Sequence, residues 1–559
     1  MKKFTAILLA VVMLFALSAS AFAATNSLET DYAIGDGLGV SVDLDIEGMY
    51  FDGVDILNTA TNGYYPFSFS LIASDRSKVA SVTVSNGGSF HWAYAQNADG
   101  SYVTDEDGNY VESTTTKYGV VVLPTTSAST VTVTGTDNIG SATFNCAQPS
   151  GGTTAAGAAL YAYLPAPAQF VNEGVTTGGW GDAYDSNGTV KATSSTGVSL
   201  GFFGGYAVYK FENPIADDPT HPYGADFIVY GNAFWNNSEA GCIQVSKDGQ
   251  TWYDIAGSMY YTKSTKGATI TYTNPNATED AGITTPASNK GTLADVPYAL
   301  TVNGTTTTGT VTKNTFHNHS WFPLNANYFA ASGSRAAMAK VDEFSFVSRT
   351  LASNGVTDTL TFTGTLLNNY PGISATASIG FGYCDVHPNK TLGGTIAYNP
   401  YQTFTSSSDY DTKVAGTSGG DPIDIAWAVN PDGTPANLDS IRYVRIYTGM
   451  AQMNGIFGEI STEVCGVAAC TGSTTETAAT PTISVDGSTV TTTNGGILPL
   501  SKKSGDYTVN VTGTGYVYIN GVATTSATIT PTHTGTKVQI IVQNGEAAPY
   551  VTYLNLQKK

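Results

Sequence analysis

Four oxygen-bearing side chains in the middle of the chain have the chemistry of a cation site, namely Asp226, Asn232, Glu239 and Asp424. Asp226 and Asp424 each lie in an otherwise apolar segment, where an ionised carboxylate is destabilising unless it is paired or bound to a metal. Ca²⁺ takes several hard oxygen ligands, and loops beside strands can supply them. We therefore expect a structural Ca²⁺ at these residues. The alternative is that they satisfy backbone groups or point outward from a sheet.

Aromatic residues near two predicted strands have the chemistry of a ligand-binding surface. Trp252 and Tyr253 follow a hairpin turn, and Tyr443, Arg445 and Tyr447 alternate with apolar residues along one strand. The two-residue period of a strand predicts that the side chains of Tyr443, Arg445 and Tyr447 form a row on its outward face. Flat aromatic faces with a few polar partners hold sugars or planar ligands. Ordinary cross-strand pairing on a wet sheet is the alternative.

Other reactive residues give weaker signals. His317, His319, Cys384 and His387 are of the types that bind zinc, but they lack a tight ligand spacing, and loop histidines are the alternative. The segment 416–420 matches G-x-S-x-G, yet it lies in a loop rich in Ser, Thr and Gly, where a nucleophile elbow is not expected. A glycosidase needs only two facing carboxylates, so hydrolysis stays open.

Period-two alternation dominates the chain and predicts the elements that position these residues. Asn-Gly and Asp-Gly pairs mark hairpin turns, and helical periodicity is scarce. The pattern predicts an all-β, multi-domain fold with a central jelly-roll-like sandwich. The expected segments are an immunoglobulin-like sandwich at 24–150, a linker at 151–158, the central domain at 159–470, a linker at 471–480, and a small β-sandwich at 481–559.

The N-terminus has the features of a secretory signal peptide over residues 1–23. Lys2 and Lys3 precede a short apolar run, and small residues before Ala24 form a cleavage site. We therefore expect an extracellular or cell-surface protein. No second long apolar run follows, so no transmembrane segment is expected in the mature chain.

The net charge limits which partners the protein can bind, and the cysteine content limits which disulfides it can form. The formal net charge of −20 repels nucleic-acid phosphates, so nucleic acid is excluded as a partner. The five cysteines are odd in number and cannot all pair internally. Cys465 and Cys470 are close enough in sequence to bridge a short loop, and their pairing is left open.

Several short segments of the central domain occur together and in order in one group of proteins. They are Pro165 to Asn172, Gly204 to Tyr206, Asp218 to Phe234, Val245 to Ser258, Thr361 to Thr365, Ile423 to Val429, and Val444 to Glu463. With these marks the chain resembles a family of bacterial cell-surface proteins from gut and anaerobic bacteria. The resemblance covers about 300 residues, and neither terminal domain. It implies a secreted or surface-attached sandwich protein without a described catalytic centre, and an association with nutrient capture, including that of corrinoids.

These observations favour a non-catalytic cell-surface binding protein for a glycan or glycan-like ligand. Three alternatives remain: a structural or adhesive protein stiffened by Ca²⁺ and contacting other surface proteins, a capture protein for corrinoids or another nutrient, and a secreted glycoside hydrolase.

Overall fold

The structure is a computed structural model that describes most of the chain after residue 156 and parts of the segment before it. The described residues are 29–35, 38–43, 68–85, 88–93, 95, 103, 105, 111–122, 129–137, 139–146, 157–172, 197–235, 237–275, 294–314, 317, 320–323, 341, 344–353, 357–368, 370, 379–396 and 398–559. The predicted signal peptide lies outside them. The chain forms two compact units, Met1–Thr154 and Ala155–Lys559.

The N-terminal unit contains two antiparallel sheets. Alternation accounts for its strands: Val131 and Val133 are buried, while the neighbouring Thr130, Thr132 and Thr134 are partly exposed. The first sheet has the order β1-β2-β3-β6-β5 and the second β4-β7-β8. Their bounds are β1 Glu29–Gly35, β2 Leu38–Asp43, β3 Ser68–Ala73, β4 Val79–Val84, β5 Ser89–Trp92, β6 Tyr118–Val122, β7 Ser129–Gly135 and β8 Ser141–Cys146.

The central part of the second unit is a sandwich of a six-stranded and a five-stranded antiparallel sheet. The six-stranded sheet consists of β9 (Ala159–Leu164), β11 (Tyr206–Ala216), β13 (Gly241–Ser246), β14 (Tyr253–Ile255), β21 (Ala428–Val429) and β22 (Ser440–Thr448), in the order β21-β14-β13-β22-β11-β9. The five-stranded sheet consists of β15 (Ser264–Thr273), β16 (Val296–Val302), β17 (Thr305–Val311), β18 (Val347–Leu351) and β19 (Thr357–Leu367), in the order β17-β16-β15-β19-β18.

Aromatic side chains fill the space between these two sheets. The Tyr206 ring of β11 meets the Phe346 and Phe362 rings edge to face, with centroids 5.0 and 6.2 Å away. Gly364 gives room to the Tyr447 ring, because a Cβ at Gly364 would lie 2.6 Å from it. Both sheets therefore share one aromatic core.

Two small sheets and a few helical turns complete the central part. The sheets are β20-β12-β24 and β10-β23, with bounds β10 Val198–Ser199, β12 Phe227–Tyr230, β20 Asp421–Ile423, β23 Glu463–Val464 and β24 Gly466–Ala469. The α-helix α1 spans Ser407–Lys413 and is capped by Ser406, whose hydroxyl accepts from the Asp409 backbone N–H. Short 3₁₀ helices span Pro222–Gly224, Ile425–Trp427 and Gly455–Phe457, and a further one, Arg76–Lys78, lies in the N-terminal unit.

The C-terminal segment forms two further sheets around its own core. One is β26-β25-β28-β31, with β25 Thr482–Val485, β26 Ser488–Val490, β28 Tyr507–Thr512 and β31 Ser526–Ile529. The other is β27-β33-β32-β29-β30, with β27 Ile497–Lys502, β29 Tyr516–Ile519, β30 Val522–Ala523, β32 Thr536–Gln543 and β33 Tyr550–Lys558. These strands pack on the central sandwich: Tyr518 Oη donates to the Tyr401 carbonyl at 3.0 Å, and Asn399 Nδ2 donates to Gln543 Oε1 at 2.6 Å.

The predicted all-β, multi-domain sandwich fold is confirmed. The prediction that three alternating side chains of β22 form an outward-facing row is wrong. Tyr443, Arg445 and Tyr447 are fully buried, as are Val444 and Ile446 on the opposite face. The reason is that β22 lies in the interior of its sheet with protein on both faces, so alternation distinguishes the two faces but does not make one of them wet.

Two further expectations concern a Cys465–Cys470 disulfide and a membrane-spanning segment. Cys465 and Cys470 are buried free thiols, so they form no bridge. No helix within the described ranges is long and apolar enough to cross a membrane.

Candidate functional site

Loops at one end of the central sandwich enclose a cavity of about 450 Å³, which we call the acidic cavity. The loops follow β9, β12, β17 and β22, and each contributes polar or aromatic side chains. The described lining residues are Gln169, Phe170, Asn232, Phe234, Asn237, Glu239, Asn314, His317, Asn454, Phe457, Glu459, Ser461 and Glu463.

Three carboxylates gather at the base of this cavity: Glu239, Asp385 and Glu463, each with an oxygen within 4.8 Å of the others. Backbone N–H groups fix Asp385 in place, since Asn232 N donates to its Oδ1 at 2.7 Å and Glu463 N donates to its Oδ2 at 3.1 Å. The absence of a side chain at Gly231 is required here, because a Cβ would lie 2.3 Å from Asp385 Oδ1. The cluster is therefore held by the loop backbone.

Burial disfavours ionisation of every carboxyl group in this region. It raises the pKa of Glu239 to about 7 and that of Glu459 to about 8. It also raises the pKa values of Asp385 and Glu463 well above their ordinary range, and the neighbouring Glu239 carboxylate adds to the effect. The cavity therefore holds carboxyl groups that retain protons near neutral pH.

Two phenylalanines stand at the rim of the cavity, each displayed by a tight turn. Phe234 is 61% exposed and Phe457 is 68% exposed. The Phe234 carbonyl accepts from Asn237 N at 2.9 Å, which closes the first turn. Phe457 lies in a hairpin closed by Asn454 N donating to the Gly458 carbonyl at 2.7 Å. Both exposed rings thus lie beside backbone hydrogen bonds that join described residues of their loops.

Gln169 joins three of the loops around the cavity. Its Nε2 donates to the Phe457 carbonyl at 2.8 Å, and its Oε1 accepts from Asn314 Nδ2 at 2.7 Å. Its backbone N–H donates to both Glu459 oxygens at 3.3 Å. This network fixes the Phe457 hairpin relative to the buried Glu459 side chain.

A second carboxylate cluster lies elsewhere in the same unit and consists of Asp217, Asp226 and Asp424. Asp226 Oδ1 accepts from Asp218 N at 2.9 Å, and its Oδ2 accepts from Ile425 N at 2.9 Å. Burial raises the pKa of Asp217 to about 6 and raises those of Asp226 and Asp424 well above their ordinary range.

This Asp217 cluster adjoins a cavity of about 240 Å³ at the seam between the central sandwich and the C-terminal segment. Asp217 and Asp424 line it from the central side, and Asn494 and Pro549 line it from the C-terminal side. The three carboxylates, with carbonyl and amide oxygens nearby, are the kind of donor set that holds Ca²⁺.

The four predicted metal ligands therefore divide between two clusters. Asp226 and Asp424 meet in the Asp217 cluster, whereas Glu239 belongs to the acidic cavity. Asn232 lines that cavity and holds Asp385 through its backbone. Sequence reasoning missed Asp217, Asp385, Glu459 and Glu463, although acidic residues inside apolar segments were the available signal for the last two.

The predicted aromatic surface is mostly interior. The Trp252 ring is partly buried and meets the Phe346 ring at a centroid distance of 5.6 Å. Tyr253 is partly buried on β14. Trp252 and Arg445 line a smaller pocket of about 260 Å³, but Tyr443 and Tyr447 are not among its described lining residues. Arg445 Nη1 donates to Gln244 Oε1 at 2.7 Å, and its guanidinium carbon lies 3.6 Å from the centroid of the Phe346 ring.

The predicted histidine and cysteine ligands are separated. His317 lines the acidic cavity, while His387 lies elsewhere, with its Nδ1 2.8 Å from Asp421 Oδ1. Cys384 is a buried free thiol, and His319 lies outside the described residues. In the part of the chain that the structure describes, the only clusters with metal-ligand spacing are the two carboxylate groups.

No protein-family model matches the chain, and no curated protein matches it. The resemblance to bacterial cell-surface proteins therefore stays a prediction.

Proposed function

We propose that this chain is a secreted, non-catalytic cell-surface binding protein that takes a glycan or glycan-like ligand in the acidic cavity. The observation that carries the proposal is the pair of exposed rings, Phe234 and Phe457, at the rim of a cavity walled by amides and carboxyl groups. Two exposed aromatic rings that line the same cavity as several polar side chains are the contacts that small-ligand sites use.

The lining chemistry suits a molecule that is apolar on one face and rich in hydroxyl groups at its edges. The Phe rings offer flat apolar contacts for the C–H face of a sugar. Asn237, Asn454 and Gln169 offer amide donors and acceptors, and Glu459 offers a carboxyl group. A volume of about 450 Å³ falls in the usual range of small-ligand sites.

Isothermal titration calorimetry after a glycan-array screen tests this proposal on the chain from Ala24 to Lys559. The substitution Phe457→Ala removes one rim ring and is expected to weaken the selected glycan at least tenfold, about 1.4 kcal/mol. Tyr516→Ala is the matched control, because Tyr516 is an exposed aromatic (37%) on β29 of the C-terminal segment. Equal losses in both variants, or no glycan bound by the wild-type chain, would refute the proposal.

A glycoside hydrolase is the second candidate, and one observation favours it. Glu459, with its pKa raised to about 8, would be the protonated acid, and Glu239 in the same cavity, with a pKa of about 7, would be the more readily ionised carboxylate; such hydrolysis needs one carboxyl in each state. Prolonged incubation with the bound oligosaccharide, followed by mass spectrometry, decides between the two. Release of shorter products by the wild-type chain and not by Glu459→Gln would establish hydrolysis in place of simple binding.

We further propose that Ca²⁺ binds the Asp217 cluster and stiffens the seam between the central sandwich and the C-terminal segment. Support comes from three converging carboxylates beside a cavity whose walls come from both sides of that seam. His221 Nδ1 lies 3.1 Å from Asp226 Oδ1, and a bound divalent cation would add positive charge at the other carboxylate oxygens and favour their ionised forms.

A further inference from the structure

The acidic cavity brings several carboxyl groups together without a permanently charged cation among its described lining residues. Its described lining includes the carboxyl groups of Glu239, Glu459 and Glu463, and none of its described lining residues is Lys or Arg. His317 is the only lining side chain in that set able to carry a positive charge. An unbalanced set of buried carboxyl groups is unfavourable in the empty protein.

The same unit balances a partly buried carboxylate differently in the Trp252 pocket. Asp254 accepts from Gln244 Nε2 at 2.8 Å and from Thr365 Oγ1 at 3.0 Å, and the guanidinium of Arg445 lies in the same pocket. The acidic cavity has amides and backbone N–H groups around its carboxyls but no such cation among its described residues. A cation that enters the cavity would favour the ionised forms of these carboxyl groups and pair with them.

The rim offers an independent indication of a positively charged ligand. Phe234 and Phe457 expose most of their surface, and a phenylalanine face attracts cations as well as C–H groups. The two rings are exposed, whereas Glu459 in the same cavity is only 3% exposed, so a ligand in the cavity can contact both aromatic and carboxyl groups. Both features favour an ammonium group carried on an otherwise hydroxyl-rich molecule.

We infer that the glycan taken by the acidic cavity is an amino sugar with a free, positively charged amine, bound with its ring between Phe234 and Phe457 and its ammonium group towards Glu459 and Glu239. This inference rests on the proposed glycan-binding function and adds the chemical class of the ligand. An N-acetylated sugar keeps the ring and the hydroxyls but carries no charge, so it supplies the matched comparison.

Calorimetry with short, defined oligosaccharides tests the inference. Di- and trisaccharides of glucosamine are titrated into the chain from Ala24 to Lys559, in parallel with the same lengths of N-acetylglucosamine and of glucose. EDTA is present so that no divalent cation occupies the carboxylates. The expected result is at least tenfold tighter binding of the glucosamine oligosaccharides than of either neutral series.

Two variants separate the cavity from the general negative charge of the chain. Glu459→Gln keeps the size of the side chain and is expected to remove most of the preference for glucosamine. Phe457→Ala is expected to weaken the charged and neutral sugars alike. Tyr516→Ala is the control and is expected to change neither affinity. Glucosamine affinity that survives both cavity substitutions would come from the overall net charge, and it would overturn the inference.

The remaining outcomes distinguish the inference from the proposal on which it rests. Neutral sugars that bind as tightly as glucosamine, with both weakened by Phe457→Ala, would refute the amino-sugar inference and leave the glycan-binding function standing. Absence of binding by every series would refute the inference, and if the wider glycan screen were also negative, the glycan-binding function would fall with it.

Discussion

The substitution Glu459→Gln should make the protein more stable at alkaline pH than the wild type. Glu459 is 3% exposed, and burial raises the pKa of its carboxyl to about 8. In the unfolded chain the same carboxyl ionises near its ordinary value of 4.5. Glutamine has nearly the same shape, can accept the hydrogen bond from Gln169 N, and cannot ionise in either state.

The magnitude follows from the proton balance. Between the unfolded and folded pKa values the folded state binds more protons than the unfolded state, so the free energy of unfolding falls as the pH rises. At about 1.36 kcal/mol per pH unit, the wild type loses roughly 4 kcal/mol by pH 8 and only about 1 kcal/mol by pH 5. The variant lacks this loss, so its advantage over the wild type should grow by about 3 kcal/mol from pH 5 to pH 8.

Urea unfolding at pH 5 and pH 8, in EDTA and followed by fluorescence, measures the change. Glu212→Gln is the control, because Glu212 is an exposed glutamate on β11 and its substitution should leave the pH dependence of the wild type intact. A Glu459→Gln protein whose stability falls with pH as steeply as that of the wild type would refute the account of this carboxyl.

Three further results are expected. Ca²⁺ should raise the melting temperature of the wild type, and at a hundredfold excess over its dissociation constant the gain in stability should be about 2.7 kcal/mol. The substitution Asp217→Asn should abolish this shift. An equal shift in the variant would show that Ca²⁺ binds elsewhere. Arg445→Met should lower the free energy of unfolding by about 2–4 kcal/mol in urea titrations, because it leaves Gln244 Oε1 and the Thr363 carbonyl without the donors that the buried guanidinium supplies; a loss below about 1 kcal/mol would contradict this. The four buried thiols, Cys242, Cys384, Cys465 and Cys470, should not react with Ellman's reagent until the protein unfolds, and burial, which raises the pKa of Cys465 to about 12, is the reason; rapid reaction of more than one of the five cysteines in the native protein would contradict the structure.

The strands were the most predictable part of the chain, because period-two alternation and turn residues are local signals. The segments around Val131 and Val444 have the strand conformation that their patterns predict. Whether a second layer of protein covers a given face of a sheet was not predictable in the same way. Whether Arg445 faces water or a second sheet depends on β18 and β19, about a hundred residues earlier in the chain, and no local pattern carries that information.

The candidate site was predictable in part, for a related reason. Asp226 and Asp424 were nominated because a carboxylate in an apolar segment needs a partner, and the fold does bring them together. Glu239 was nominated for the same cluster, but its partners Asp385 and Glu463 come from distant loops. Phe234 and Phe457 could not be recognised as rim residues, since an aromatic side chain in a turn looks the same in sequence whether it packs or is exposed.

A crystal structure of the chain from Ala24 to Lys559 with its tightest-binding oligosaccharide would test the central claim most directly. The account predicts sugar density between the rings of Phe234 and Phe457, with a polar group of the sugar within hydrogen-bond distance of Glu459. Density at the Trp252 pocket or on any other surface, with the acidic cavity filled only by water, would contradict it.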